Sequence, residues 1–350
     1  MDRTSKKFSA IPQWHRHSAT QLYWPSNRKI WPGKQLDQVE DIYCKIIEEL
    51  HFFEPIHLFV ASLEVRNRVM QKLAGRAVDL DRVLIHQQKI KDVWARRFAP
   101  LFVMEKDEYV ILDWDYRNKD TVHAEVEIDP TLAKYISDKF GIKRVVPGIT
   151  LEKGYFDANG AGILLATESI LHNSNQYAQI SKNGLEKTLI EYLGADQVIW
   201  LKSKLETDYE HVDGLTRWLN VDTVMTMISG DPEDVNYDIL QENLEILRSV
   251  TLKGGRKLNI ETLPISKIKT NDSTDTGLDY VTTNYTHFYV ANGTVLVPLY
   301  NKSYDKVALD LFRKYFPGRK IIGIEGASLV LGEDSIYRIT QPWYGKKLIQ

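Results

Sequence analysis

The sequence predicts an α/β fold, and three observations carry that reading. A unit of amphipathic helix, short turn and apolar strand recurs along the chain. No Pro/Gly/Ser linker and no low-complexity run interrupts it. Of 350 residues, 43% are hydrophobic and 26% charged, ordinary values for a chain with a sizeable core. A single domain over residues 1–350 is the expectation.

The clearest helix covers 37–50, where Val39, Ile42, Tyr43, Ile46, Ile47 and Leu50 share one face, and the strand 56–61 follows it. The helix 182–193 leads into the strand 198–201 in the same way. The helix 304–316 leads into 321–324, with Val307, Ala308, Leu311, Phe312 and Tyr315 on one face. Weaker copies run from 63–74 into 83–86, from 132–140 into 145–146 and from 235–250 into 258–260. Such recurrence fits a closed or radial arrangement, and it fits an open doubly wound sheet equally well. Lys253-Gly254-Gly255-Arg256 reads as a hairpin turn rather than a phosphate cradle.

The net charge of −2, with signs mixed along the chain, gives no support to a nucleic-acid binder or a polybasic membrane binder. No apolar run approaches the ~18 residues of a spanning helix. The opening Met-Asp-Arg-Thr-Ser-Lys-Lys has no apolar run behind it, so a soluble, cytoplasmic protein without a secretory signal is expected. The one cysteine, Cys44, permits no internal disulfide. It aligns with Asp37, Asp41 and Glu48 on the polar side of the 37–50 helix, and reads as a bystander thiol rather than a nucleophile.

Five segments combine aromatic, charged and glycine residues in turn-like contexts: 24–33, 92–100, 151–154, 208–213 and 332–341. The fourth holds His211 with Asp213 two residues on. On a strand the two would share a face, as a base with its orienter or as two metal ligands. A hydrogen-bonded histidine at a solvated strand end explains the same residues. No HExxH, CxxC, P-loop or GxGxxG pattern is present, so no metal or cofactor is expected.

Taken together, these segments resemble the agmatine deiminase and bacterial peptidyl-arginine deiminase family over nearly the whole chain. Trp24-Pro25, Asn27-Arg28 and Trp31-Pro32-Gly33 match its N-terminal signature, and Asp92-Val93-Trp94-Ala95-Arg96 its second motif. Asp157, Asn159-Gly160, Gly162 and Leu164-Leu165 follow its later pattern, as do Glu191-Tyr192-Leu193-Gly194, Val198-Ile199-Trp200-Leu201 and Phe288-Tyr289-Val290-Ala291-Asn292-Gly293. The resemblance implies a pentein fold, an α/β propeller with pseudo-fivefold symmetry. It also implies hydrolysis of a guanidinium group by a cysteine thiolate, with a histidine handling protons and carboxylates gripping the cation.

The departures fall on that chemistry. Where the family has Trp-x-Arg-Asp, this chain has Trp94-Ala95-Arg96-Arg97, so Arg97 replaces the gripping aspartate. Arg338 stands at the nucleophile position, Glu152-Lys153-Gly154 replaces Glu-Gly-Gly, and Glu210 precedes the histidine in place of glycine. Trp94, Glu152, His211 and Asp213 are retained. A guanidinium ~5 Å from Arg97 is repelled by about 3 kcal/mol at an effective dielectric of ~20. Arginine stays protonated and is no nucleophile.

Ordinary deimination is therefore expected to be lost. A binding protein is one expectation, with Trp94, Arg97, Glu210 and Arg338 facing a small anion or a protein partner. Internal pairing of the arginines with Glu210, Glu333, Asp334, Asp208 or Glu152 is a second outcome. A repurposed enzyme using His211, Asp213, Glu210 and Glu152 for acid–base work on a non-guanidine substrate is a third. Residual guanidine hydrolysis by direct water attack comes last. A homodimer is compatible with a fold of this size.

Overall fold

The computed structural model describes all residues except 1–5, 89–92, 115–130, 150, 173–180, 204–210, 270–279, 301, 331–334 and 346–350. The chain gathers into two compact units. The first comprises Met1–Gln13, Pro100–Lys119 and Gly141–Ile265, and the second Trp14–Ala99, Asp120–Phe140 and Ser266–Gln350.

Five of the six sheets among the described residues repeat one order, an antiparallel strand pair followed by a crossover to a parallel third strand. A helix lies in each crossover, as parallel neighbours require. In the first unit the repeats are Leu101–Glu105, Glu108–Leu112 and Lys143–Val145; Phe156–Ala158, Ile163–Thr167 and Gln197–Leu201; and Thr216–Trp218, Thr223–Ile228 and Asn259–Pro264. In the second unit one repeat is Tyr289–Val290, Thr294–Leu299 and Lys320–Glu325. The other joins the chain's two ends: Thr340–Trp343 lies antiparallel to Ala19–Tyr23, which continues in parallel to Ile56–Val60 and Val83–Gln87.

All six helix–strand beats of the sequence are present, with ends moved by a few residues. Helix Gln35–Leu50 buries Leu36, Val39, Ile42, Tyr43, Ile46, Ile47 and Leu50, the one-face spacing of an amphipathic helix. Helix Lys182–Leu193 is fixed at both ends. Ser181 Oγ accepts the Gly184 N–H, and Gly194 closes the helix in the left-handed region at φ 64°. A side chain at Gly194 would also meet the Phe8 carbonyl oxygen at 2.3 Å. Gly254 and Gly255, both at positive φ, form the expected hairpin turn, closed by the Leu252 N–H on the Arg256 carbonyl.

Cys44 departs from its expected place. It is fully buried among Val39, Tyr43 and Ile47, within 4.0 Å of the Lys72 carbonyl on helix Leu63–Leu73. The second helix covers the side of the first that holds Asp37, Asp41 and Glu48 and that the sequence marks as polar. Ion pairs of Arg68, Lys72 and Arg76 with Asp37, Glu40, Asp41 and Glu48 frame that contact. Among the described residues no helix is long and apolar enough to cross a membrane.

Candidate functional site

The residues singled out by the sequence lie in two places, one in each unit. In the first unit, Glu152 precedes a 3-10 turn, Lys153–Tyr155, that feeds strand Phe156–Ala158. His211 precedes a second 3-10 turn, Val212–Gly214, that leads to strand Thr216–Trp218. The two turns pack on one another. A buried polar network ties the strands that follow them. Asp157 Oδ2 accepts Arg217 Nε at 3.0 Å and the Trp218 N–H at 2.9 Å. Gln13 accepts from Arg217 and donates to the Trp218 carbonyl at 2.8 Å. Arg217 is completely enclosed, and its guanidinium is tolerated there because a carboxylate and an amide oxygen face it.

That scaffold brings His211 Nε2 to 3.2 Å from Glu152 Oε2. The carboxylate is almost wholly enclosed, at 3% side-chain exposure, while the imidazole keeps 14%. Tyr155 meets the imidazole edge-on at 4.5 Å between ring centres. Gly154 makes room for the ring: a Cβ there would stand 2.7 Å from His211 Cγ. Asp213 is buried in its turn. The strand that was to put His211 and Asp213 on one face is therefore absent. The backbone is a 3-10 turn, in which alternate residues do not share a face. The carboxylate that meets His211 at hydrogen-bonding distance is that of Glu152, which sequence adjacency does not reveal.

In the second unit, Trp94 precedes the short helix Ala95–Phe98, which carries Arg97. This helix packs on a second short helix, Ile336–Ile339, which carries Arg338. The two short helices that carry Arg97 and Arg338 are thus neighbours. Ser335 caps the second helix by accepting the Arg338 N–H at 3.3 Å, and Arg338 is half-buried. Arg96 links the two helices. Its Nε donates to the Tyr337 carbonyl at 3.2 Å, and its guanidinium lies 4.0 Å from the centre of the Tyr337 ring. Trp94 is buried beside them. The side chain of Arg97, and Asp208, Glu210, Glu333 and Asp334, lie outside the described residues.

Sequence reasoning did not single out Arg96, Tyr155 or Gly154. Arg96 and Gly154 lie inside motifs already quoted, and Tyr155 directly follows one. Among the described residues, no three His, Cys, Asp or Glu side chains gather where they would hold a metal ion. Burial pushes the pKa of the one thiol, Cys44, up to about 11.

The sequence pattern of the Porphyromonas-type peptidyl-arginine deiminase matches residues 9–343. The agmatine deiminase of Ectopseudomonas mendocina is 27% identical over 357 residues, covering 95% of each chain. The solved agmatine deiminase of Enterococcus faecalis is alike in fold, with a TM-score of 0.84 at 21% identity, covering 98% of this chain and 97% of that one. That of C. jejuni is alike in fold too, with a TM-score of 0.80 at 22% identity over 96% of both. With a match from residue 9 to residue 343, the chain belongs to the Porphyromonas-type peptidyl-arginine deiminase family.

Proposed function

We propose that this chain is a member of the family that no longer deiminates guanidines, and that it binds an anionic ligand through Arg97 and Arg338. One observation carries the proposal: the only thiol, Cys44, is enclosed between two helices with its pKa pushed up to about 11. Covalent deimination needs an activated, reachable thiolate. At the position the resemblance gives to that thiolate stands Arg338, and Arg97 stands at that of the cation-gripping aspartate. Two arginines on packed short helices suit a carboxylate or phosphate. The five repeats of antiparallel pair and parallel crossover support a fivefold pseudosymmetric propeller as the scaffold.

Calorimetry of the purified protein tests this, with agmatine and arginine set against phosphate and small dicarboxylates. Anion binding that weakens about tenfold or more in Arg338→Ala is expected. Agmatine turnover to carbamoylputrescine, or an anion affinity indifferent to Arg338→Ala, overturns it.

The His211–Glu152 contact favours a second reading, an enzyme doing acid–base chemistry on a non-guanidine substrate. A buried carboxylate lies 3.2 Å from an imidazole that is still partly exposed. A panel of amide, ester and phosphoester substrates separates the two. Turnover by the wild type that disappears in His211→Ala supports the second reading, and no turnover across the panel removes it.

A further inference from the structure

We propose that the buried pair His57–His86 is an acid-sensitive latch: a proton taken up by either imidazole breaks the Lys139–His86–His57 chain of contacts and frees helix Leu132–Phe140 and strand Thr340–Trp343 from the sheet. The inference is independent of any ligand site.

His57 and His86 lie on neighbouring strands of the second unit, 1% and 6% exposed. His57 Nδ1 is 2.8 Å from His86 Nε2. Lys139 Nζ, near the end of helix Leu132–Phe140, stands 3.2 Å from His86 Nδ1. An ammonium has hydrogens to donate and no lone pair to accept with, so His86 Nδ1 is the acceptor. The neutral ring then carries its hydrogen on Nε2 and donates it to His57 Nδ1, which leaves the hydrogen of His57 on Nε2. In both rings the nitrogen open to a proton is Nδ1. Protonated His86 sets an N–H against the ammonium, and protonated His57 sets an N–H against an N–H. Either proton breaks the chain of contacts.

Among the described residues, the titratable and charged groups beside the pair are Lys139, Tyr135 bonded to it, and Tyr23 on the same face of the sheet. None is an anion that would receive the added charge, so a protonated ring gains stabilisation only by reaching water. Two elements cover the pair. Trp343 stacks on His57 at 4.4 Å between ring centres, and Phe140 meets His57 and Trp343 edge-on at 5.3 Å and 4.7 Å. Among the described residues, strand Thr340–Trp343 is paired on one side only, and weakly held elements open ahead of the interior. Thr340 Oγ1 donates to the Ile336 carbonyl at 2.7 Å, so release of the strand reaches the short helix that carries Arg338.

Hydrogen–deuterium exchange of the full chain tests this, followed at about pH 7.5 and about pH 5.5 and corrected for the intrinsic pH dependence of exchange. Once exposed, each imidazole titrates near its ordinary value of about 6.5. Each therefore favours the open state about tenfold at the lower pH, and the two together about a hundredfold. Segments 132–140 and 336–343 are expected to open by that factor and to run ahead of strand Ile163–Thr167 in the first unit. His57→Gln or His86→Gln alone should leave about a tenfold response, and the double variant none. The inference is overturned if the two segments keep their protection at the lower pH, or if they exchange at one common rate with strand Ile163–Thr167, the mark of whole-chain unfolding. A folded single variant that keeps the full response overturns it too. Should the glutamine variants fail to fold, His57→Phe and His86→Phe suit the aromatic enclosure and make the same test.

Discussion

Each unit holds a histidine beside a glutamate, and the two pairs differ in how far they reach solvent. In the second unit, His17 Nδ1 lies 3.1 Å from Glu54 Oε1, with both side chains essentially inaccessible. In the first unit, His211 Nε2 lies 3.2 Å from Glu152 Oε2, with the imidazole partly open. Glu54 is also used by its surroundings. It accepts from the Thr20 hydroxyl and, at 2.8 Å, from the Asn292 N–H, while Asn292 bonds the His17 backbone in both directions. Burial would raise the Glu54 carboxyl, but His17, Thr20 and Asn292 together hold it below the usual range. A histidine–carboxylate distance therefore does not mark a reactive site by itself. Reach from solvent separates the two pairs: His17 is 1% exposed and His211 14%.

The largest expected effect tests the structural member. Glu54→Ala leaves His17, Thr20, Tyr289 and the Asn292 N–H facing a hole in a closed region. Deleting a buried carboxylate leaves its hydrogen-bond donors unsatisfied, at about 1–3 kcal/mol or more. Chemical denaturation should show a loss of that order. Glu152→Ala is expected to cost clearly less, because His211 can turn to water. Equal losses for the two variants would remove the distinction.

How much of this was legible in the sequence follows from the same physics. The helix–strand beats were readable because amphipathic spacing is local, and helices such as Gln35–Leu50 express it directly. Glu152 and His211 were singled out through motif resemblance. Their pairing was not. Glu152 and His211 meet because two 3-10 turns pack together, a long-range event with no local signature, and Val212–Gly214 is a turn where a strand was expected. Cys44 was misplaced for a related reason. A helix with a second helix on its flank buries a wider arc than its apolar stripe, and charged neighbours such as Asp41 and Glu48 reach past the contact to Arg76. Closure of the Ala19–Tyr23 sheet by residues 340–343 is likewise tertiary, with no local signature.

A third histidine setting sharpens the comparison through pH. His57 Nδ1 and His86 Nε2 are 2.8 Å apart in the second unit, and Lys139 Nζ lies 3.2 Å from His86 Nδ1. With no carboxylate in this chain of contacts, the ammonium donates to one imidazole, which donates to the next. Burial, then His86 and Lys139, bring His57 down to about 3, and burial with Lys139 brings His86 to about 4. Both are held neutral in the folded protein, while the unfolded chain takes up protons below about pH 6.5. Stability is thus fully present above that value and falls as the pH drops toward the folded values. A loss of roughly 2 kcal/mol per imidazole is expected between pH 6.5 and pH 5. Melting temperatures across that range check it, and His86→Phe should flatten the slope. A slope unchanged in that variant would place the acid sensitivity elsewhere.

The smallest expected effect on stability tests the open member, through Gly154→Ala. Gly154 does not need glycine's backbone freedom, since its φ is not in the left-handed region; it needs the absence of a side chain. An added methyl would stand 2.7 Å from His211 Cγ and 2.8 Å from Nδ1, so the ring must leave. Alanine stiffens the unfolded chain, which offsets part of the lost contact, and the net cost should be about 1 kcal/mol. The informative readout is the imidazole nitrogen resonances. Those of His211 should move in Gly154→Ala while those of His17 stay in place. If His211 kept its resonances, the Glu152 contact would not depend on the space at residue 154, and the turn would have to be holding the ring by another route.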